Sequence, residues 1–87
     1  MLEGKAREVV AEVKTWFGIA CNARWEKLSD VRMIYPSADQ VGNIVIFNIR
    51  HNRFRLITYA VFPRQKLYVK ALLTHAEYDR GEWKKWA

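Results

Sequence analysis

The sequence predicts an α+β domain in which N-terminal helices pack on a three- to four-stranded antiparallel sheet, followed by a short C-terminal helix. Three observations predict this fold. Apolar residues recur at helical spacing in the first part of the chain, β-branched runs separated by short turn segments begin near residue 43, and 87 residues suffice for one domain only. The hydrophobic content of 51% is enough for one modest core. We therefore treat residues 1–87 as a single domain.

The N-terminal part predicts two helices. The first runs from about Glu3 to Ala23, and its apolar residues follow i, i+3, i+4, i+7 spacing: Val9, Val10, Val13, Trp16, Phe17 and Ala20. A shorter helix is predicted within LSDVRMIYP, with Ser29 as its N-cap and Pro36 as its stop. The turn-forming residues from Pro36 to Gly42 predict a loop. We expect these helices to cover one face of the sheet.

From Asn43 onward the pattern is that of strands. NIVIFNIR, RFRLITYAVF and LYVKALLT are rich in β-branched and aromatic residues, and RHN and PRQK separate them as turns, which predicts an antiparallel meander. Along the second strand, alternation assigns Phe54, Leu56, Thr58, Ala60 and Phe62 to one side and Arg53, Arg55, Ile57, Tyr59 and Val61 to the other. The final HAEYDRGEWKKW predicts a short helix or helical tail, with Gly81 as the place where it would break.

The net positive charge of the chain comes entirely from its second half. Residues 1–42 carry six basic and six acidic side chains, whereas residues 43–87 carry nine basic and three acidic ones. Between residues 43 and 76 there are six basic side chains and no acidic one. Such an unbalanced surface favours a polyanionic ligand, of which nucleic acid is the commonest. The alternative is a solubilising excess of charge on a small protein.

Arg55 is the basic residue in the most demanding position. It is flanked by apolar residues in a strand interior, so its guanidinium needs an internal carboxylate or an anionic ligand. Glu77 and Asp79 are the candidates for an internal partner, because the strands themselves contain no acid. The alternative is a side chain whose stem packs on the sheet while its head reaches water.

Several classes of protein are disfavoured. No apolar run is long enough for a transmembrane helix, and the N-terminus lacks the apolar segment of a signal peptide. The single cysteine, Cys21, excludes an internal disulfide and is expected to be a small buried hydrophobe, so we expect a reduced cytoplasmic protein. No His/Cys cluster has zinc-ligand spacing, and we expect neither a metal nor a cofactor.

Three segments together carry a family resemblance. WEKLSDVRMIYPSADQVGN, IVIFNIRHNRFRLI and LYVKALLTHAEYD, within Trp25 to Asp79, resemble the HigB family of toxins in type II toxin–antitoxin modules, which belongs to the RelE superfamily of messenger-RNA-cleaving ribonucleases. The resemblance implies a RelE-like α+β domain whose second sheet face forms a basic cleft for RNA. Family members begin with a short strand before the first helix. This chain begins almost directly in the helix, so the sheet is expected to lack a strand and to expose an edge.

The resemblance also implies roles for individual residues. Arg55 falls on the arginine of the family's "(Y/F)RL" strand, and His75 and Tyr78 fall on the His and Tyr of its "THxEYD" segment. In metal-independent RNA cleavage the 2′-OH attacks the adjacent phosphate, which gives a 2′,3′-cyclic phosphate and a 5′-hydroxyl. We assign His75 to acid–base catalysis, Arg55 to charge stabilisation, and Tyr78 to orienting the 2′-OH or stacking on a base. The predicted RNA-binding residues are Arg50, Arg53, Lys70 and Lys84.

The implied partners are mRNA, the ribosome and a HigA-like helix-turn-helix antitoxin, without a membrane. Two alternatives stay open: a non-catalytic module that binds RNA or the ribosome, and a degenerate toxin that only binds its antitoxin. The residues also have structural alternatives, since His75 can act as a cap and Tyr78 can pack under Trp83. The sequence does not decide which group is the acid and which is the base.

Overall fold

The structure is a computed structural model that describes residues 7–49 and 53–86. Its elements confirm the predicted α+β class. In chain order they are α1 (Arg7–Asn22), α2 (Leu28–Arg32), β1 (Asp39–Val41), β2 (Ile44–Ile49), β3 (Phe54–Val61), β4 (Lys66–Thr74) and α3 (His75–Asp79), with 3₁₀ turns at Phe62–Arg64 and Glu82–Trp86. No helix in the described ranges is long and apolar enough to cross a membrane.

The sheet has four antiparallel strands in the order β1-β2-β3-β4, so the predicted meander is present and one further strand precedes it. This first strand corrects the expectation of a loop from Pro36 to Gly42. Asp39 pairs with Ile46 and Val41 pairs with Ile44, across a two-residue connection. Gly42 in this connection has a φ of 57°, a conformation that tight hairpins use and that glycine adopts without strain. Pairing to β2 therefore overrides the loop-like composition of this segment.

The helix boundaries differ from two predictions. The predicted start of α1 at Glu3 lies outside the described residues. In α2 the N-cap is Lys27 rather than Ser29, because the carbonyl of Lys27 accepts hydrogen bonds from the next turn. The helix ends at Arg32 and not at Pro36, and the intervening residues form hydrogen-bonded turns.

The main core lies between the helices and one face of the sheet. Its central side chain is Phe47, which is fully buried, with its ring centroid 5.2 Å from that of Trp16, 5.9 Å from Trp25 and 5.3 Å from Tyr35. The other buried members are Val9, Val13, Val31, Ala38, Val45, Ile49, Leu56, Ala60 and Leu72. The predicted alternation along β3 is confirmed, since Leu56 and Ala60 belong to this core and Ile57 to the opposite face.

Two residues of α1 do not lie where the sequence indicated. Phe17 is 60% exposed, and Cys21 is exposed rather than buried. They are four residues apart and so share a helix face. The helix buries the neighbouring face that carries Val9, Val13 and Trp16, so the apolar stripe that meets the sheet is narrower than the sequence indicated.

A second, smaller apolar cluster lies on the other face of the sheet. Ile44, Ile46 and Ile57 are buried there beneath Trp83 of the C-terminal 3₁₀ turn. The residues packed around them are Tyr59, Ala71, Leu73, Tyr78 and Trp86. The C-terminal segment thus covers part of the face for which the resemblance implied a basic cleft.

A β-bulge interrupts the pairing of β3 with β4. Ile57 pairs with Ala71 and Thr58 pairs with Val69, so Lys70 is an extra residue on β4. A bulge of this kind turns two consecutive side chains toward the same face of the sheet. Lys70 accordingly lies on the second face together with Ala71, and its Nζ is 5.9 Å from the centroid of the Tyr59 ring.

A capping box starts α3. The Thr74 hydroxyl accepts a hydrogen bond from the Glu77 N–H at 3.2 Å, and the Glu77 carboxylate accepts one from the Thr74 N–H at 2.9 Å. The helix ends before Gly81, whose φ is 74°, and the tail continues as a 3₁₀ turn. The predicted break at Gly81 is therefore confirmed.

We expect Thr74→Ala to lower the free energy of unfolding by about 1 kcal/mol, because it removes the hydroxyl of this capping box. Ser29→Ala is the matched control, since Ser29 is exposed and lies inside α2 rather than at its cap. Its effect should stay within about 0.5 kcal/mol. Urea denaturation of both variants measures the difference, and equal losses would contradict the assignment of the caps.

Candidate active site

The second face of the sheet brings Arg55 and Tyr78 into contact. The Cζ atom of Arg55 lies 5.1 Å from the centroid of the Tyr78 ring, which is a cation–π geometry. Arg55 is partly buried, and its Nη1 also donates a hydrogen bond to the Phe54 carbonyl at 3.4 Å. The fold therefore brings the predicted arginine and tyrosine into contact, although β3 and α3 are separated along the chain.

Tyr78 is held from a second direction by Trp83. The two rings are stacked with centroids 5.1 Å apart and an interplanar angle of 6°, and the Trp83 Nε1–H donates to the Tyr78 carbonyl at 3.0 Å. Trp83 is only 3% exposed. The structural role weighed for Tyr78, packing against Trp83, is thus present together with the contact to Arg55. Because both contacts involve the ring, they favour its hydroxyl, rather than its ring face, as the group available to a substrate.

His75 is the first residue of α3, at the end of β4. Its backbone N–H donates to the Arg53 carbonyl at 3.1 Å, which ties the start of α3 to the start of β3. Its Nδ1 lies 2.9 Å from the Asp79 Oδ2, and its side chain is 59% exposed. A carboxylate can only accept in this contact, so Nδ1 carries the hydrogen. Nε2 of the neutral imidazole is then a hydrogen-bond acceptor available for proton transfer.

The two acids considered as partners for Arg55, Glu77 and Asp79, both lie on α3. Asp79 pairs with His75, and Glu77 closes the capping box with Thr74. The His75–Asp79 pair was not predicted. The signal for it was readable in HAEYD, because residues four apart on a helix face each other.

The predicted RNA-binding residues are distributed around this site. Arg53 is exposed, and its carbonyl bonds to the N–H of His75. Lys70 lies over the Tyr59 ring, and the Lys84 Nζ is 5.9 Å from the centroid of the Trp83 ring. Arg50 lies outside the described residues. The three described residues are all exposed, and they border the face that carries Arg55.

Within residues 7–49 and 53–86, no group of three or more His, Cys, Asp or Glu side chains is placed to hold a metal ion. Burial, with a smaller effect from Glu12, raises the pKa of Tyr35, which belongs to the main core on the opposite face. The candidate site is described by its contacts, those of Arg55 with Tyr78 and of His75 with Asp79.

Comparison with known proteins gives a family and three curated relatives. Residues 10–81 match the family described as HigB_toxin, RelE-like toxic component of a toxin-antitoxin system. The chain is similar to the mRNA interferase toxin HigB of Escherichia coli (strain K12), with 29% identity over 58 residues, covering 63% of this chain and 56% of that protein. The same identity and coverage hold for the mRNA interferase HigB of Escherichia coli O157:H7 and of Shigella flexneri. The match thus spans about half the length of these curated relatives.

Proposed function

The chain belongs to the HigB family of RelE-like toxins, and from this premise we propose that it is the toxin of a type II toxin–antitoxin system and cleaves mRNA as an endoribonuclease. The names of its relatives, mRNA interferases, support this activity. The observation that carries the proposal is the contact of Arg55 with Tyr78 on the sheet face opposite the main core, next to the end of β4 where His75 is paired with Asp79.

His75 performs the proton transfers in this proposal. With Nδ1–H donated to Asp79, the neutral imidazole presents Nε2 as a base for the 2′-OH. The protonated imidazole presents the same atom as an acid for the leaving 5′-oxygen. The carboxylate fixes the tautomer and the orientation of the ring, as in other His–carboxylate pairs. The geometry suits either role.

Arg55 stabilises the negative charge that develops on the phosphorane. A guanidinium keeps its proton and offers a planar fork of donors that matches two phosphate oxygens. Its contact with the Tyr78 ring restricts its position before substrate arrives, which lowers the entropy lost on binding. The Tyr78 hydroxyl then orients the 2′-OH. The products are a 2′,3′-cyclic phosphate and a 5′-hydroxyl, and the mechanism requires no metal.

The partners in this proposal are mRNA, the ribosome that presents it in the cytoplasm, and a HigA-like helix-turn-helix antitoxin. Membership of a toxin–antitoxin family supports the antitoxin, and the relatives' names support mRNA. The basic second half of the chain, with nine basic and three acidic side chains in residues 43–87, supports a polyanionic substrate.

RNA affinity is expected to fall steeply with salt, because the predicted binding residues release counterions from phosphates. Four or five such contacts give a slope of log K against log salt of about −3, or roughly 60-fold between about 50 and 200 mM. Lys70→Gln and Lys84→Gln should each make the slope shallower by about 0.7. Lys14→Gln, on the exposed side of α1, is the matched control and should leave it unchanged. A flat salt response would contradict binding through this surface.

The test of the activity is a map of new RNA 5′ ends after induction in cells, repeated on purified mRNA with and without ribosomes. We expect new ends that carry a 5′-hydroxyl and so become substrates for a polynucleotide kinase without prior dephosphorylation. Growth arrest without new ends would instead indicate a non-catalytic RNA- or ribosome-binding module. Neither arrest nor new ends, with antitoxin binding retained, would indicate a degenerate toxin.

A further inference from the structure

A second group of aromatic side chains lies on the same sheet face as Arg55. Tyr59 of β3 and Tyr68 of β4 are directly opposite each other in the strand register. Their neighbours along the strands, Ala60 and Leu67, belong to the core on the helix side, so both tyrosines point to the second face. Tyr68 is 50% exposed, whereas Tyr59 is partly buried against the smaller apolar cluster.

A lysine and a hydrogen bond accompany the Tyr59–Tyr68 pair. The bulge in β4 turns Lys70 toward the second face, where its Nζ lies 5.9 Å from the centre of the Tyr59 ring. The Tyr59 hydroxyl also accepts a hydrogen bond from the Asn43 Nδ2 at 3.2 Å, which fixes the ring from its polar end. A fixed ring, an exposed ring and an ammonium group therefore share one patch, within a segment that contains no acidic residue.

The distance of this patch from Arg55 has a consequence for the substrate. Tyr59 is four residues along β3 from Arg55, which corresponds to about 13 Å in a strand. That backbone separation exceeds the length of one nucleotide, so we assign the patch to a base other than the one at the scissile phosphate. It lies where an extended single strand that has its phosphate on Arg55 would place a base beyond the site of cleavage.

We propose that Tyr59, Tyr68 and Lys70 form a nucleobase-stacking subsite for single-stranded RNA, with the exposed Tyr68 ring as the platform and Lys70 on the adjoining phosphate. The proposal rests on the proposed function in one respect, that RNA is the ligand of this face. Aromatic rings beside a basic track on an open sheet are the means by which proteins hold single strands without reading their sequence. Because every base has a π-face, the subsite accepts any base.

The competing explanation is a cross-strand aromatic pair that only stabilises the sheet. It accounts for Tyr59, which is partly buried, but not for the half-exposed ring of Tyr68 or for a bulge that brings an ammonium group to the same patch. RNA is favoured over a protein as the ligand of this patch, because the patch lies on the same sheet face as Arg55, the proposed phosphate-binding residue.

The test compares two oligonucleotides of about 12 nucleotides, within the range of single-strand site sizes. One is 2′-O-methyl oligoadenylate, which lacks the attacking hydroxyl, so that affinity is measured without cleavage. The other is an abasic backbone with the same charge. Tyr68→Ile removes the ring but keeps a residue that favours strands. We expect it to weaken binding of oligoadenylate roughly 5- to 150-fold and to leave binding of the abasic strand unchanged.

Two further variants complete the experiment. Tyr68→Trp should retain or tighten binding, and Phe17→Ala, which removes a ring that is 60% exposed on α1, should have no effect. Equal affinity of wild type and Tyr68→Ile for oligoadenylate would overturn the subsite, as would equal losses for both oligonucleotides or no binding by the wild type. Cleavage in cells is scored separately. If binding depends on the Tyr68 ring but no cleavage occurs, the subsite is supported and the proposed endoribonuclease activity is refuted. If cleavage occurs but binding does not depend on the ring, the activity is supported and the subsite is refuted.

Discussion

Replacing His75 by alanine is expected to lower the rate of RNA cleavage about 10²- to 10⁴-fold while leaving RNA affinity nearly unchanged. The substitution removes the group assigned to proton transfer, but it removes no positive charge needed to hold the backbone. The fold should persist, because the side chain is 59% exposed and its backbone bond to Arg53 does not involve the imidazole. Single-turnover cleavage and binding to the 2′-O-methyl strand measure the two quantities separately.

Variants at neighbouring positions make this expectation specific. His75→Gln retains an amide that can donate to Asp79 but cannot transfer a proton at neutral pH, so it should be as inactive as alanine. Arg55→Ala should lose both rate and affinity, whereas Arg64→Ala, an exposed arginine in the 3₁₀ turn between β3 and β4, controls for the loss of one charge. Undiminished cleavage by His75→Ala would remove His75 from the mechanism and leave the basic face as a binding surface.

The sequence predicted the candidate site in two ways, because the resemblance selected its residues and simple periodicities indicated which of them share a face. Strand alternation assigned Arg55 to the side opposite Leu56 and Ala60, and a helical turn places His75 and Tyr78, three residues apart, on one face. Periodicity does not predict that the C-terminal 3₁₀ turn, Glu82–Trp86, folds back onto the sheet. The stacking of Trp83 on Tyr78 depends on Gly81 ending α3 and on the apolar patch of Ile44, Ile46 and Ile57 beneath the turn.

Other features were decided by tertiary pairing, which local signals do not encode. Asp39–Val41 has the composition of a loop, yet it forms a strand because it pairs with β2 across the Gly42 turn. Ser29 has a side chain suited to an N-cap, yet the helix begins two residues earlier, because the Lys27 carbonyl accepts hydrogen bonds from the N–H groups of Asp30 and Val31. The bulge at Lys70 depends on the register of two strands, so neither strand read alone reveals it.

The largest expected effect on stability is that of Phe47→Ala, which should lower the free energy of unfolding by about 3–5 kcal/mol. Phe47 is 0% exposed and has three aromatic neighbours, so alanine would leave a cavity that rigid indole and phenol rings cannot readily fill. A chain of 87 residues has a total stability of roughly 4–13 kcal/mol. The substitution therefore removes a large share of the stability and, at the lower limit, all of it.

Phe17→Ala is the matched control for this experiment, since it deletes the same side chain where it is 60% exposed, and its effect should remain within about 0.5 kcal/mol. Urea unfolding followed by circular dichroism measures both variants, and similar losses would contradict the assignment of Phe47 to the centre of the core. The comparison also separates two causes of lost toxicity. Phe47→Ala should lose cleavage and RNA binding together, in proportion to the unfolded fraction, because the core positions β3 and with it Arg55. His75→Ala should lose cleavage alone at full helicity, and only that pattern identifies a residue that acts on the reacting atoms.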